Sequence, residues 1–220
     1  MKSIVIAPHP DDEVLGVGGT LLKRKSTKKN NFLYWIIVTK LKPSTSKKKI
    51  LRRNQEIKMI SKIFGFKKVF QLSFNTTELD SSSKKKLIKN FSDIFNKIKP
   101  NELFVPHFSD VHSDHKIVSE VISTCTKNFR FPFIRKILAY EVLSETDYNL
   151  NRKKAFFPNY YEDITNFLTQ KKKAMKIYKS EIKKFPFPRS VEAMDALAKL
   201  RGSQIGKKAA ESFEILREIN

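Results

Sequence analysis

Five short runs, residues 3–7 (SIVIA), 32–39 (FLYWIIVT), 68–72 (KVFQL), 102–106 (ELFVP) and 136–143 (KILAYEVL), are β-branched or aromatic and almost continuously apolar. A strand without polar alternation is covered on both faces, which places it in a sheet sandwiched between helices. The intervening segments supply those helices, at 13–27, 47–64, 82–98 and 114–128. In the second, Ile50, Ile57, Ile60 and Phe64 recur at helical spacing and Gly65 stops the pattern. In the third, the serines of SSSKKKLIKNF provide an N-cap. This alternation predicts a Rossmann-like three-layer α/β/α fold with a mostly parallel sheet and right-handed crossovers. Two further helices are expected within 163–182 and 190–213, joined by the proline-rich KKFPFPR, as a helical C-terminal segment packed on the same core. No linker or repeat divides the chain, so one domain over residues 1–220 is expected.

Composition narrows the partners. No apolar run approaches the roughly 18 residues needed to cross a bilayer. The N-terminal apolar run, Ile4 to Ala7, is too short for a signal-peptide core, so a cytoplasmic protein without a membrane span is expected. Cys125 is the only cysteine, which excludes an intrachain disulfide and any multi-cysteine zinc site; a bound metal must take nitrogen and oxygen ligands. The net charge is +22, from 44 Lys+Arg against 22 Asp+Glu, a balance that by itself points to nucleic acid. Only nine of the basic residues are arginine, however, and lysine serves as a solvated surface charge where nucleic-acid recognition favours the arginine fork. No aromatic–arginine interleaving or binding motif accompanies the charge, so no nucleic-acid partner is expected. The lysines are read as a solvated surface that attracts anionic substrates. Whether the chain is a monomer or a homo-oligomer is open at this point.

In a parallel sheet, sites gather at the carboxyl ends of the strands. All four histidines, His9, His107, His112 and His115, follow predicted strands on that side. His9 and Asp12 in HPDD share their three-residue spacing with His112 and His115 in HSDH, and residues three apart at a helix start can point to one face. A catalytic zinc takes three protein ligands and keeps a fourth position for water. His9, Asp12 and one histidine of the second cluster would make such a His₂Asp set. Asp11 is then free to act as general base on water that the metal acidifies. The remaining histidine would stabilise an oxyanion or protonate a leaving amine. Either motif alone has a plainer account, a turn whose aspartate caps a helix; their pairing at two sheet-end positions makes the metal reading specific. His107 either lines the pocket or is a hydrogen-bonded loop histidine, and Tyr140, ending a predicted strand facing the site, either lines the substrate pocket or is buried in the core. Gly16, Gly18 and Gly19 lack the dinucleotide spacing and are read as close-packing positions. Glu13 is assigned only to the helix N-terminus, where negative charge is favoured.

PHPDDEVLGVGGT followed by PHFSDVHSDH resembles the LmbE-like (PIG-L) zinc-dependent N-deacetylases. RRNQEIKMISKIFGF, FNTTELD, YEVLSET and PFPRSVEAMDALAKLRGSQIGKKAAESF resemble further segments of that family, so the likeness runs along nearly the whole chain. It implies hydrolysis of an N-acetyl group from an N-acetylglucosamine-type amino sugar, such as a nucleotide-sugar or a glycoconjugate of polysaccharide biosynthesis. Zn²⁺ is the implied cofactor, with Fe²⁺ as another divalent choice. By position, the resemblance makes His9, Asp12 and His115 the metal ligands and Asp11 the base. His112 becomes the group that stabilises the tetrahedral intermediate or acts as acid, Asp114 the residue that orients His112, and Arg53 a substrate contact. Ser113 stands where the family often has proline. Two other readings remain: an amidase acting on a non-sugar acylated small molecule with the same machinery, and a basic nucleic-acid-binding protein with a structural metal.

Overall fold

The computed structural model describes residues 1–27 and 31–220, and in it the five apolar runs become five parallel strands. These are β1 (Lys2–Ala7), β2 (Phe32–Lys40), β3 (Lys68–Asn75), β4 (Glu102–Pro106) and β5 (Lys136–Tyr140). Two more strands, β6 (Tyr160–Asp163) and β7 (Ala210–Glu218), extend the sheet antiparallel beyond β5, giving the order β3-β2-β1-β4-β5-β7-β6. The helices are α1 (Asp12–Thr27), α2 (Lys47–Phe64), α3 (Lys84–Ile98), α4 (Ser113–Cys125), α5 (Leu168–Met175) and α6 (Val191–Ser203).

Side chains alternate across the pleat, and both sets are buried, which is why the strands read as apolar without interruption. Val5, Trp35, Ile37, Phe104 and Leu138 face Val14 and Leu21 of α1 and Ile57, Ile60 and Phe64 of α2. Ile4, Ile6, Ile36, Leu103 and Val105 face Leu87, Phe91 and Phe95 of α3 and Val118 and Ile122 of α4. α1 and α4 therefore leave neighbouring strands toward opposite faces. Gly65 ends α2 with φ 69° and donates its N–H to the Ser61 carbonyl, and the Ser83 hydroxyl caps α3 on the Lys86 N–H. Among the described residues no helix is long and apolar enough to cross a membrane.

The expected mostly parallel α/β/α layering is present, and α5 and α6 pack on the same core. The C-terminal segment departs from the helical expectation in detail. Within 163–182 only Leu168–Met175 is helical, and within 190–213 the helix ends at Ser203. Residues 210–218 form β7 instead, although Ala, Glu and Leu in AESFEILRE favour a helix locally. Pairing with the open edge of β5, from Lys136↔Glu218 to Tyr140↔Phe213, overrides that preference. The fifth strand also stops at Tyr140, three residues earlier than its apolar run.

β7 is anchored deep in the first helix. The Glu211 carboxylate accepts the Gly19 and Thr20 amides of α1 at 2.7 Å each and pairs with Lys171 at 2.7 Å, and Lys171 also donates to the Leu15 carbonyl at 2.8 Å. Both charged side chains are less than 5% exposed. The glycines of α1 are close-packing positions. A Cβ on Gly16 would lie 2.2 Å from the Tyr140 ring, and one on Gly19 2.7 Å from Ile164. Tyr140 cannot retreat, because its hydroxyl donates to the Ile6 carbonyl at 2.7 Å and it is fully buried. Gly16→Ala should therefore lose about 1–3 kcal/mol of stability by overpacking, read as a lower midpoint in urea unfolding.

Candidate metal and active site

The order of the sheet reverses at β1, which has β2 on one side and β4 on the other, and the loops leaving β1 and β4 face each other across that switch point. The first loop is nailed down: the Thr39 amide and hydroxyl donate to the Pro8 carbonyl at 3.0 and 2.9 Å, and the His9 amide donates to Asp12 Oδ2 at 2.7 Å. In the second loop His112 is the N-cap of α4, its Nδ1 accepting the Asp114 amide at 3.0 Å, and His115 lies in the first turn.

Three ligand atoms meet there. His115 Nε2 is 3.3 Å from His9 Nδ1 and 3.3 Å from Asp12 Oδ2, and His9 Nδ1 is 3.7 Å from Asp12 Oδ2. An ion with four tetrahedral bonds of about 2.0–2.1 Å places its ligands about 3.3–3.4 Å apart, so the triangle fits such an ion. The far nitrogen of each histidine is held by a carboxylate. His9 Nε2 is 2.9 Å from Asp114 Oδ2, and His115 Nδ1 is 2.8 Å from Asp110 Oδ2, whose other oxygen accepts the Thr146 hydroxyl at 2.6 Å. This backing fixes the tautomers so that both inner nitrogens offer lone pairs to a metal. A second group, His9, His112 and Asp114, also brings ligand atoms close, but Asp114 already serves His9 and the Thr77 amide, and His112 Nδ1 is taken by the Asp114 amide.

The charges match this division. Burial works to raise the Asp12 pKa, yet His115 and His9 outweigh it and hold the carboxyl at about 2. Burial works to lower His115, and the Asp12 and Asp110 carboxylates outweigh it and keep the imidazole well above its ordinary value. Asp11 is raised instead, by its own burial and by repulsion from Asp12. Among the described residues its carboxylate takes no hydrogen bond, and its backbone is unusual, with φ 135°. His112 is pushed down to about 4, by burial and by the neighbouring His9 and His115.

His9, Asp11, Asp12 and His112 border a cavity of about 590 Å³ whose lining also includes Arg53, Glu181 and Arg189 and the apolar Leu41, Pro43, Ile50 and Ile57. Arg53 is ion-paired with Glu56 at 3.1 Å and with Glu181, and donates to the Pro10 carbonyl at 2.8 Å. Two expected pocket residues lie elsewhere. His107 is fully buried, with Nδ1 at 2.7 Å from the Ser109 hydroxyl and Nε2 at 3.3 Å from Glu214. Tyr140 lies under α1, because the absence of a side chain at Gly16 leaves room for its ring. The expectation for Asp114 also changes: its carboxylate orients His9, and only its backbone amide reaches His112.

Sequence reasoning missed three further groups. Asp110 was signalled only as the first of the two acids in HFSDVHSDH. Glu13 is fully buried and accepts the Tyr178 hydroxyl at 2.7 Å; burial pushes its carboxyl up to about 8. Arg189 lies 3.8 Å from Glu181, and among the described residues its buried Nε has no hydrogen-bond partner.

A nitrogen- and oxygen-donor set able to hold a metal ion, at the switch point of a mostly parallel sheet, is the class of site that this fold and these residues define. The chain belongs to the PIG-L family, described as GlcNAc-PI de-N-acetylase, whose match spans residues 4–126. It is 24% identical over 233 residues to diacetylchitobiose deacetylase of Thermococcus kodakarensis, covering 99% of this chain and 84% of that protein. The structure of N,N'-diacetylchitobiose deacetylase from Pyrococcus horikoshii, complexed with its inhibitor MPG, matches with a TM-score of 0.75 and 23% identity over 98% of this chain and 84% of that one. GalB, the 4-carboxy-2-hydroxymuconate hydratase of Pseudomonas putida KT2440, matches with a TM-score of 0.75 and 15% identity over 100% and 98%. These structural likenesses, all under 25% identical, establish the fold.

Two outcomes follow for metal binding. Asp110→Asn should weaken metal affinity about 10–100-fold, measured by competition with a chromogenic chelator. Because a metal must displace the proton that the carboxylates hold on His115, affinity should also fall about tenfold per pH unit below that group's pKa. Metal titrations across pH, with proton release followed by calorimetry, check the second.

Proposed function

We propose that this chain is a metal-dependent N-deacetylase that hydrolyses the acetamide of an N-acetylglucosamine-type sugar. The observation that carries the reading is the carboxylate-backed set of His9, Asp12 and His115 beside an unengaged buried carboxylate, Asp11, which lines the cavity with His9 and Asp12. The deacetylase activity named for the Thermococcus and Pyrococcus relatives supports it. Zn²⁺ is our first choice of metal, because two imidazoles and a carboxylate with an open fourth position suit it; Fe²⁺ is the second. When bound, the divalent ion supplies Lewis acidity toward the amide carbonyl and acidifies water.

Asp11 accepts a proton from the attacking water, and its raised pKa makes it a stronger base than an ordinary carboxylate. His112 Nδ1 accepts the Asp114 amide, so the proton of the neutral ring sits on Nε2. From there it donates to the oxygen on which charge develops, in place of the protonated imidazole that a general-acid role would need. Asp11 then returns its proton to the departing nitrogen as the C–N bond breaks, giving acetate and a free amine. Arg189, which borders the cavity beside Glu181, is placed to present its guanidinium to a sugar hydroxyl; most of the Arg53 guanidinium is already committed. The apolar side chains of Leu41, Pro43, Ile50 and Ile57 in the cavity lining favour a glycoside or conjugate over the free sugar.

The test is amine release from a panel of N-acetylglucosamine conjugates, with and without Zn²⁺. Metal-dependent release from at least one conjugate is expected, and none from any of them would overturn the reading. Asp11→Asn should lower kcat by about 10²–10⁴-fold while leaving metal content unchanged; near-normal turnover would remove Asp11 as the base.

A further inference from the structure

The peptide that joins Pro10 to Asp11 is gripped at both polar ends by side chains. Its carbonyl oxygen accepts from Arg53 Nη1 at 2.8 Å, and its N–H donates to Glu13 Oε2 at 3.1 Å. The two grips are joined. The Tyr178 hydroxyl donates to the other Glu13 oxygen at 2.7 Å, and the Arg53 guanidinium lies 5.4 Å above the Tyr178 ring. Glu13 and Tyr178 are both fully buried.

On its other side, the Asp11 carbonyl accepts the Val14 and Leu15 amides at 2.9 Å each, as α1 begins. A peptide unit is planar, so fixing its oxygen and its N–H fixes the whole plane. With both flanking planes fixed, Asp11 is held at φ 135°, a region that residues with a side chain rarely occupy. Relaxation to an ordinary φ would swing the carboxylate away from Asp12 and the cavity. A fully buried carboxyl is costly, and packing alone would be served by an apolar side chain of similar size.

We infer that Glu13, Tyr178 and Arg53 form a clamp on the Pro10–Asp11 peptide that positions Asp11 for proton transfer. Glu13 and Tyr178 are positioning residues, acting through Asp11 without touching substrate. The inference rests on Asp11 as the base.

The clamp predicts a split between kcat and KM. Glu13→Ala should lower kcat by about 10²-fold, the scale of a base displaced by about an ångström, with KM and metal content unchanged. Glu13→Gln keeps an acceptor for the Asp11 N–H and should restore most of kcat. Tyr178→Phe keeps the ring beneath Arg53, removes only the hydroxyl, and should slow kcat several-fold at unchanged KM. Wild-type kcat in Tyr178→Phe, or a Glu13→Gln enzyme as slow as Glu13→Ala, overturns the clamp; if Glu13→Ala does not fold, Tyr178→Phe decides. Slow Asp11→Asn with fast clamp variants removes the clamp alone, whereas fast Asp11→Asn removes the base assignment itself.

Discussion

β1 and β4 lie side by side and parallel, yet the helices that follow them go to opposite faces of the sheet. Everything at the site depends on that divergence. It opens a crevice at the strand ends, and it aims the first turns of α1 and α4 at each other across it. His9 and Asp12 arrive from one side, His112 and His115 from the other. Hydrophobic burial of strand residues on the two faces sets the distance between them, and the His9–Asp114 hydrogen bond joins the two loops across it.

Within that crevice, the arrangement is built in layers. Three ligand atoms face inward, and each histidine is turned by a carboxylate that is itself held, Asp110 by Thr146 and Asp114 by the Thr77 amide. Neighbouring aspartates of one motif thus end with opposite electrostatics. Asp12 is surrounded by imidazoles and stays ionised, while Asp11, one residue earlier, faces burial and like charges. The difference arises from the imidazoles of His115 and His9, which lie beside Asp12 and not beside Asp11.

Much of this was legible in the sequence, for definite reasons. The parallel strands were visible because burial on both faces removes polar alternation, and the metal set because two spaced motifs fell after two such strands. What was not legible depends on contacts between distant residues. β7 is written in helix-favouring residues and becomes a strand only because β5 has an open edge. Asp114 was assigned to its chain neighbour His112, whereas its carboxylate points to His9, 105 positions away. His107 and Tyr140 end strands on the correct side but turn into the core, a choice made by Glu214 and Gly16. Glu13 looked like a charge at a helix start, and its partner Tyr178 is 165 positions distant.

The link between Glu211 and the middle of α1 has a consequence in time. A ribosome delivers the strands β1 to β5 and the metal-ligating loops well before residues 210–218 emerge. Until Glu211 arrives, Lys171 has no counter-ion and the Gly19 and Thr20 amides lack their carboxylate. The exposed edge of β5 waits for the same segment. Synthesis of β7 therefore completes the first helix, and a chain cut just before it would carry His9, Asp12 and His115 yet leave unfinished the helix that Asp12 begins.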